Sequence, residues 1–244
     1  MTRQKLRHTL LLFSLLLFPI TIWYFSPYLI IQAASEHIMN GSFIVFSLML
    51  ILSMFLGRAW CGFLCPAGGL QECALRCNDR PAKQGWRNNI KYVIWVLWII
   101  GIIVTFILGK NGVTIDPFFM TDHGISVASI YNYVIYYGVI LLLILPALFH
   151  GRRAACHYIC WMAPFMVIGS TIGRVLHIPQ LHIESSCEKC VSCKKCNQVC
   201  PMGLDVTSMV KAGKNSRCTE CTLCGACVDH CPKRALKYSW KWSK

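Results

Sequence analysis

The stretch Cys190-Val191-Ser192-Cys193-Lys194-Lys195-Cys196-Asn197-Gln198-Val199-Cys200-Pro201 has the spacing C-x2-C-x2-C-x3-C-P. Cys221-Thr222-Leu223-Cys224-Gly225-Ala226-Cys227-Val228-Asp229-His230-Cys231-Pro232 repeats it 31 residues later. Three closely spaced thiolates wrap one face of an inorganic cube, and a distant fourth closes it. In runs of this bacterial two-cluster type the fourth cysteine binds the other cluster. The reading is one [4Fe-4S] cluster on Cys190, Cys193, Cys196 and Cys231, and a second on Cys221, Cys224, Cys227 and Cys200. Zinc uses paired CxxC knuckles with four ligands per ion and does not call for two triplets each closed by Cys-Pro. Disulfides are disfavoured in a reducing cytosol, where the topology argued below puts this segment.

Residues 179–244 are thus expected to form a small α+β, two-cluster ferredoxin-like domain. It has few large apolar residues, so metal ligation would supply much of its folding free energy, and removing iron should unfold it. Cys187 and Cys218 each lie three residues before a triplet. They read as bystanders of the duplication or ligands of a slipped register, with ligation of an additional centre as the functional alternative.

Working toward the N-terminus, the chain changes character. Of its 244 residues 55% are hydrophobic and 14% charged, against about 25% charged in soluble domains. Four long stretches lack Asp, Glu, Lys and Arg: 9–31, 38–57, 92–109 and 124–149. Each approaches the roughly 20 residues that cross a bilayer, so residues 1–178 are expected to form an all-α membrane domain. It would have four transmembrane helices near 9–28, 39–57, 91–109 and 130–149, arranged as two repeated hairpins plus interfacial segments. The first span is too long for the apolar core of a signal peptide and has poor small-residue cleavage sites near Phe25–Tyr28, so it should stay as an anchor. A fifth uncharged run, 154–173, contains Pro164 and reads as interfacial or re-entrant.

Net charge is +14, from 24 Lys and Arg against 10 Asp and Glu. Such a balance alone would suit a nucleic-acid binder, but the spans remove that reading, and no nucleic-acid partner is expected. Under the four-helix topology 23 of the 24 basic residues fall on one side, and only Lys110 lies on the other. By the positive-inside bias both termini and the cluster domain face the cytoplasm, in a multi-pass inner-membrane protein. The remaining basic charge suits anionic lipid and an acidic protein partner.

Two further cysteine pairs stand where helices two and four end. Gly57-Arg58-Ala59-Trp60-Cys61-Gly62-Phe63-Leu64-Cys65-Pro66 and Gly151-Arg152-Arg153-Ala154-Ala155-Cys156-His157-Tyr158-Ile159-Cys160-Trp161 each carry C-x3-C, 95 residues apart. A two-helix unit repeated with the same ending would bring together Cys61, Cys65, Cys156 and Cys160. Four thiols suit one more cluster or a reactive dithiol site; a buried cysteine is otherwise simply a small apolar residue. Cys73 and Cys77 form a third i, i+4 pair, without a repeat mate. Sixteen cysteines allow two clusters and one or two more. Arg58, Arg152 and Arg153 read first as topology determinants, and secondarily as counter-charges to an anionic cluster.

Haem b needs histidines inside helices, and the eight present fall at helix ends, in loops or in the tail. No C-x-x-C-H haem c motif and no Gly-rich dinucleotide fingerprint appear. Quinones and other redox proteins remain as partners. A quinone headgroup has candidate neighbours in His150, His157, Trp60, Tyr158 and Trp161.

The two hairpin endings followed by the two-cluster tail resemble the NapH-type membrane ferredoxins, a group that includes NapH-like and YccM-like proteins and is related to the membrane half of NosR and to CcoG. The resemblance covers about residues 40–240. It implies an electron-transfer subunit of a quinol dehydrogenase complex, moving electrons between the quinol pool and a partner redox enzyme, rather than a stand-alone enzyme with catalytic residues of its own. The motif Cys61 to Cys65-Pro66 fits the group, whereas Cys160 is followed by Trp161, with proline only at 164. The alternative is a maturation factor that reduces a metal ion or a disulfide through the membrane-face thiols.

Overall fold

The computed structural model describes residues 2–109, 112–212 and 218–241, so Lys110 lies outside the described residues. Among the described residues, two helices are long and apolar enough to cross a membrane. One is α7 (Ile90–Leu108), continued N-terminally by a 3-10 turn from Trp86; the other is α8 (Ile130–His150). Their outward faces, including Leu97, Ile103 and Ile107 on α7 and Val134, Leu141 and Phe149 on α8, are exposed. An apolar surface of that extent suits lipid, where a helix satisfies its backbone polar groups internally, apart from the one bond that Pro146 removes inside α8.

The expected helix over 9–28 is not continuous. Helix α1 (Arg3–Leu16) ends at Leu17, α2 (Phe18–Thr21) passes into a 3-10 turn (Ile22–Phe25), and the two limbs meet at 59°. Pro19 lies in the first turn of α2; it has no N–H to give to the preceding turn and its ring crowds that turn's carbonyls, so the ladder restarts there. Pro27 then opens α3 (Pro27–Ser35), with Ser26 accepting from the Leu29 N–H at 3.4 Å. The expected helix 39–57 is α4 (Gly41–Leu56), capped by Asn40, whose side chain accepts from the Phe43 N–H at 3.0 Å. Its 16 residues rise about 24 Å, short of a hydrocarbon core of about 30 Å. The described residues therefore contain two full-length apolar spans, or three if the bent pair counts as one.

After α4 the chain forms α5 (Ala59–Phe63) and α6 (Pro66–Ala74). After α8 it forms α9 (Ala154–Tyr158) and α10 (Ala163–Val175). The run expected to be interfacial is thus mostly α10, which packs along α4. At their contact a Cβ on Gly169 would collide with the Leu50 carbonyl and the Ser53 hydroxyl, so only hydrogen lets the two backbones close. Gly169→Leu should therefore separate α4 from α10 and lower the yield of folded, detergent-stable protein several-fold. A yield equal to that of Gly138→Leu, where nothing lies within reach, would show that this close approach is dispensable.

On the side away from the cysteine pairs, β1 (Ile38–Asn40) pairs in parallel with β2 (Thr114–Asp116) and ties two loops together. The tail is built on β3 (Gln180–Ser185) and β4 (Leu236–Lys241), antiparallel with Gln180 opposite Lys241 and Ser185 opposite Leu236. Between them lie α11 (Lys195–Gln198), α12 (Val206–Lys211) and α13 (Ala226–Asp229). A small core of Ile183, Val210, Leu223 and Leu236 fills the middle. Gln180 fastens the tail to the helices by donating to the carbonyls of Met54 (2.7 Å) and Ser170 (2.8 Å).

Candidate iron–sulfur centres

The 31-residue repeat is visible in the backbone. Ser192 and Leu223 both have positive φ (56° and 52°), as do Lys194 and Gly225 (57° and 74°). Alternating left-handed residues curl the chain into a concavity of successive N–H groups, the kind of nest that holds anions and iron–sulfur groups. Cys187 and Cys218 have matching parts in it: their carbonyls accept from the N–H groups of Cys190 and Cys221, each at 3.0 Å. These residues shape the turn ahead of each triplet through the backbone, whatever their thiols do.

Each triplet meets the distant cysteine of the other run. One cavity is lined by Cys200, Cys221, Cys224 and Cys227, the other by Cys190, Cys193, Cys196 and Cys231, and Val210 and Leu236 form a shared wall. The Ala235 N–H donates to the Cys231 sulfur at 3.3 Å. Burial pushes the Cys200 thiol up to about 11 and the Cys221 thiol up to about 12, so these sulfurs become thiolates at neutral pH only against a cationic metal.

Cys61 on α5, Cys65 at the start of α6, Cys156 on α9 and Cys160 just beyond it converge between the helices. Burial raises the thiols of Cys65 and Cys160, the latter to about 12; Cys61, Cys156 and Cys160 raise Cys65 further, and Cys156 and Cys61 raise Cys160. Cys61, Cys65 and Cys156 are buried and Cys160 half-buried. Gln71, fully buried, donates to the Cys156 sulfur at 3.1 Å and accepts from the Ala155 N–H at 3.0 Å.

Arg58 and Arg153 are not solvated topology markers: they are 3% and 0% exposed. Burial works against the charge on Arg58, but Cys61, Glu220, Cys160 and Cys156 outweigh it; for Arg153, Glu72, Cys156, Cys224 and Cys65 do the same. Arg153 donates to the Cys61 carbonyl at 2.8 Å and to Glu72 at 2.6 Å, and Arg58 donates to the Thr219 carbonyl at 2.6 Å. The Nε atoms of both are buried without a partner. Arg152 grips Asp79 (2.7 and 2.8 Å) and the Cys200 carbonyl (3.0 Å).

Two carboxylates that sequence reasoning passed over organise this region. Glu72 takes Arg7 in two hydrogen bonds (2.6 and 2.8 Å) as well as Arg153. Glu220 takes Lys91 and lies 3.4 Å from both Arg58 and His157. Burial alone would raise the Glu220 carboxyl, but His157, Arg58 and Lys91 hold it down to about 2. A signal was present: the chain has only ten acidic residues, and Glu220 directly precedes Cys221, the first cysteine of a C-x2-C-x2-C run.

The buried charges do not balance. Arg152 has its own partner in Asp79. Arg7, Arg58, Lys91 and Arg153 then stand against Glu72 and Glu220, leaving two cations in excess around four thiols. A [4Fe-4S] cluster on four thiolates carries a charge of about −2 when oxidised. The thiol set, the unpartnered guanidinium nitrogens and the charge excess all fit such a dianion.

Other sequence candidates fare differently. Cys73, Cys77 and Cys187 are exposed, and Cys218 is half-buried against Cys156 and Cys200. His157 is fully buried with Nε2 at 3.0 Å from the Met202 carbonyl, and the Tyr158 hydroxyl donates to the Lys83 carbonyl at 2.9 Å. Neither is free to receive a quinone, because the tail and the 80–90 loop cover them. Trp161, by contrast, lines an apolar cavity of about 640 Å3 between α3 and α8, with Cys65 and Cys160 also on its wall.

A family model described as a 4Fe-4S binding domain matches the chain twice, at residues 41–87 and 131–179, and a 4Fe-4S dicluster domain matches residues 189–236. The uncharacterized protein MJ0750 of Methanocaldococcus jannaschii is 26% identical over 204 residues, covering 80% of this chain and 78% of its own length. YccM of Escherichia coli K12, named for an electron-transport role, is 26% identical over 208 residues, covering 75% of this chain. The match spans about half of YccM, 51%. A second protein of Methanocaldococcus jannaschii, MJ0749, is 23% identical over 198 residues, covering 78% of this chain and 68% of its own. No solved structure matches.

Proposed function

We propose that this chain, an iron–sulfur protein with multiple 4Fe-4S clusters, homologous to YccM and consistent with a NapH/YccM-like family, moves electrons between the membrane quinone pool and a partner redox protein. The observation that carries the reading is the succession of three four-cysteine sets. The outer tail cavity adjoins the inner one across Val210 and Leu236. The inner one abuts the membrane-face set, where Gly62 lies so close to Thr222 and Cys224 that a Cβ would strike the Thr222 carbonyl and Cys156 packs beside Cys200. The 640 Å3 cavity continues the line from Cys65 and Cys160.

Cys190, Cys193, Cys196 and Cys231 would hold one cluster, Cys200, Cys221, Cys224 and Cys227 a second, and Cys61, Cys65, Cys156 and Cys160 a third. Bound there, such clusters supply one-electron transfer. The protein's own residues exclude water, offset charge through Arg58 and Arg153, and hold the tail against the helices through Glu220 and Arg152. Four membrane crossings, with both termini and the tail cytoplasmic, remain the topology the basic residues favour. The contacts agree: Arg3 pairs with Asp229 at 2.8 Å and Gln4 donates to the Cys224 carbonyl at 3.1 Å, so the start of α1 lies on the tail's side. The quinone fits the 640 Å3 cavity because that volume is in the usual range for small-molecule sites and no charged residue lines it. The maturation reading loses ground, since thiol exchange needs accessible thiolates and three of the four membrane-face thiols are buried.

Anaerobic detergent-purified protein should contain about twelve irons per chain, four per cluster. A soluble quinol analogue added to the oxidised protein, or a quinone added to the reduced protein, should change its visible cluster absorbance within seconds. Full iron content with no response to either would remove the quinone from this chain and assign it to another subunit.

A further inference from the structure

We propose that the rim of the outer tail cavity is the docking surface for a soluble electron carrier whose own redox group is surrounded by acidic residues. The proposal rests on the cluster reading above, and it names the partner class at the end of the wire away from the membrane.

The two tail cavities are not equivalent. The inner one, on Cys200, Cys221, Cys224 and Cys227, is covered by α5, by the start of α1 and by Arg152. The outer one keeps Cys193, Val191 and Pro232 exposed. Electron exchange with a soluble protein needs close approach, and only this cavity offers it. Lys189, Lys194, Lys195 and Lys233 all line the outer cavity and all are exposed. Among the described residues none of the four is within ion-pair distance of a carboxylate. Glu188 is the exposed acid beside them. Asp205 lies near Lys194 but is already bonded to Asn197 and Ser208.

An exposed apolar residue, Val191, and four unpaired cations lining the same cavity fit a partner whose contact surface is apolar and edged by acidic residues. Such a surface raises the association rate by steering and loses that advantage in salt. One electron crosses per encounter, oxidising the donor and reducing the acceptor by one equivalent, with no atom transferred.

The test uses the full-length protein in detergent and an acidic flavodoxin as probe. The second-order rate of electron exchange with flavodoxin hydroquinone is followed as ionic strength rises. The expected rate falls about tenfold between low and high salt. Lys189→Glu with Lys233→Glu should lower the low-salt rate by about tenfold and flatten the salt slope, while Lys237→Glu, on β4 and paired with Glu184, should leave both unchanged. Lys194 is left intact because its left-handed backbone shapes the nest. If the double charge reversal prevents cluster assembly, the corresponding Lys→Gln pair gives the same comparison with a smaller effect.

Equal rates and slopes in the rim and Lys237 variants would overturn the proposal. So would a rim effect confined to binding of phosphatidylglycerol vesicles, which would make the lysines a lipid contact. Failure of the cluster reading is distinguishable, because it would appear as unmutated protein with far fewer than eight irons. Failure of docking alone leaves iron content and the dithionite-reduced EPR signal intact.

Discussion

Cys61→Ser combined with Cys156→Ser is expected to remove about four irons per chain from anaerobically purified protein, one cluster's worth. The corresponding part of the reduced EPR signal should be lost with them. The effect should be large because it removes two of the four thiols that converge from α5, α6 and α9, and the exposed Cys73 and Cys77 are not among those four. It should also reach beyond iron. With the cluster gone, Arg58 and Arg153 keep their burial but lose the anion offsetting them, and truncating one side of a buried charge arrangement costs about 3–5 kcal/mol. The double variant should therefore be less stable to heat and more readily cleaved at the α5 and α9 loops. Cys73→Ser with Cys77→Ser should retain the full iron content. An unchanged iron content in the Cys61/Cys156 variant would refute the third cluster and return the membrane-face thiols to thiol chemistry.

Glu220→Ala is expected to undock the tail from the helices. Glu220 is the common acceptor for Lys91, at 0% exposure, and Arg58, at 3%. Removing it leaves two buried cations without a carboxylate, again about 3–5 kcal/mol, a large share of the 5–15 kcal/mol that typically stabilises a domain. Hydrogen exchange should speed up in the 218–224 loop and around Arg58, and limited proteolysis should release a tail fragment. Glu220→Gln should lose nearly as much, because the amide keeps a hydrogen bond but not the charge. The pH dependence has a definite sign. The Glu220 carboxyl is held down to about 2 in the fold, below its ordinary value near 4.3. Its stabilisation is present above pH about 4.3 and is lost as pH falls toward 2. At the upper edge of that window, before acid strips the clusters, protection of the 218–224 loop should fall more in the native chain than in Glu220→Gln. Equal protection in all three proteins at neutral pH would show that the contact does not hold the domains together.

Much of this was legible in the chain itself. The two C-x2-C-x2-C-x3-C-P runs suggest which thiols would share a cube, because three of each four lie within one local turn and the motif swaps the fourth, and the two cavities group the same eight cysteines. The uncharged runs that became α7 and α8 announce themselves by length alone. The C-x3-C pairs after α4 and α8 pointed to a shared site because the same ending occurs twice. What the tertiary structure decided concerns partners distant in sequence. Pro19 bends the first segment instead of letting it run straight, a competition between local breaking and bilayer length that composition does not weigh. Arg58 and Arg153 read first as topology determinants and secondarily as counter-charges, and the fold turns them inward against Cys61, Cys156, Glu72 and Glu220, up to 162 residues away. His157 and Tyr158, plausible quinone neighbours in sequence, are covered by the tail, and the apolar cavity instead opens beside Trp161, Cys65 and Cys160. Spacing along the chain specifies ligands that grip one compact object. Which charges end up buried, and which surfaces remain open, depends on which distant segments meet, and only the packed molecule states that.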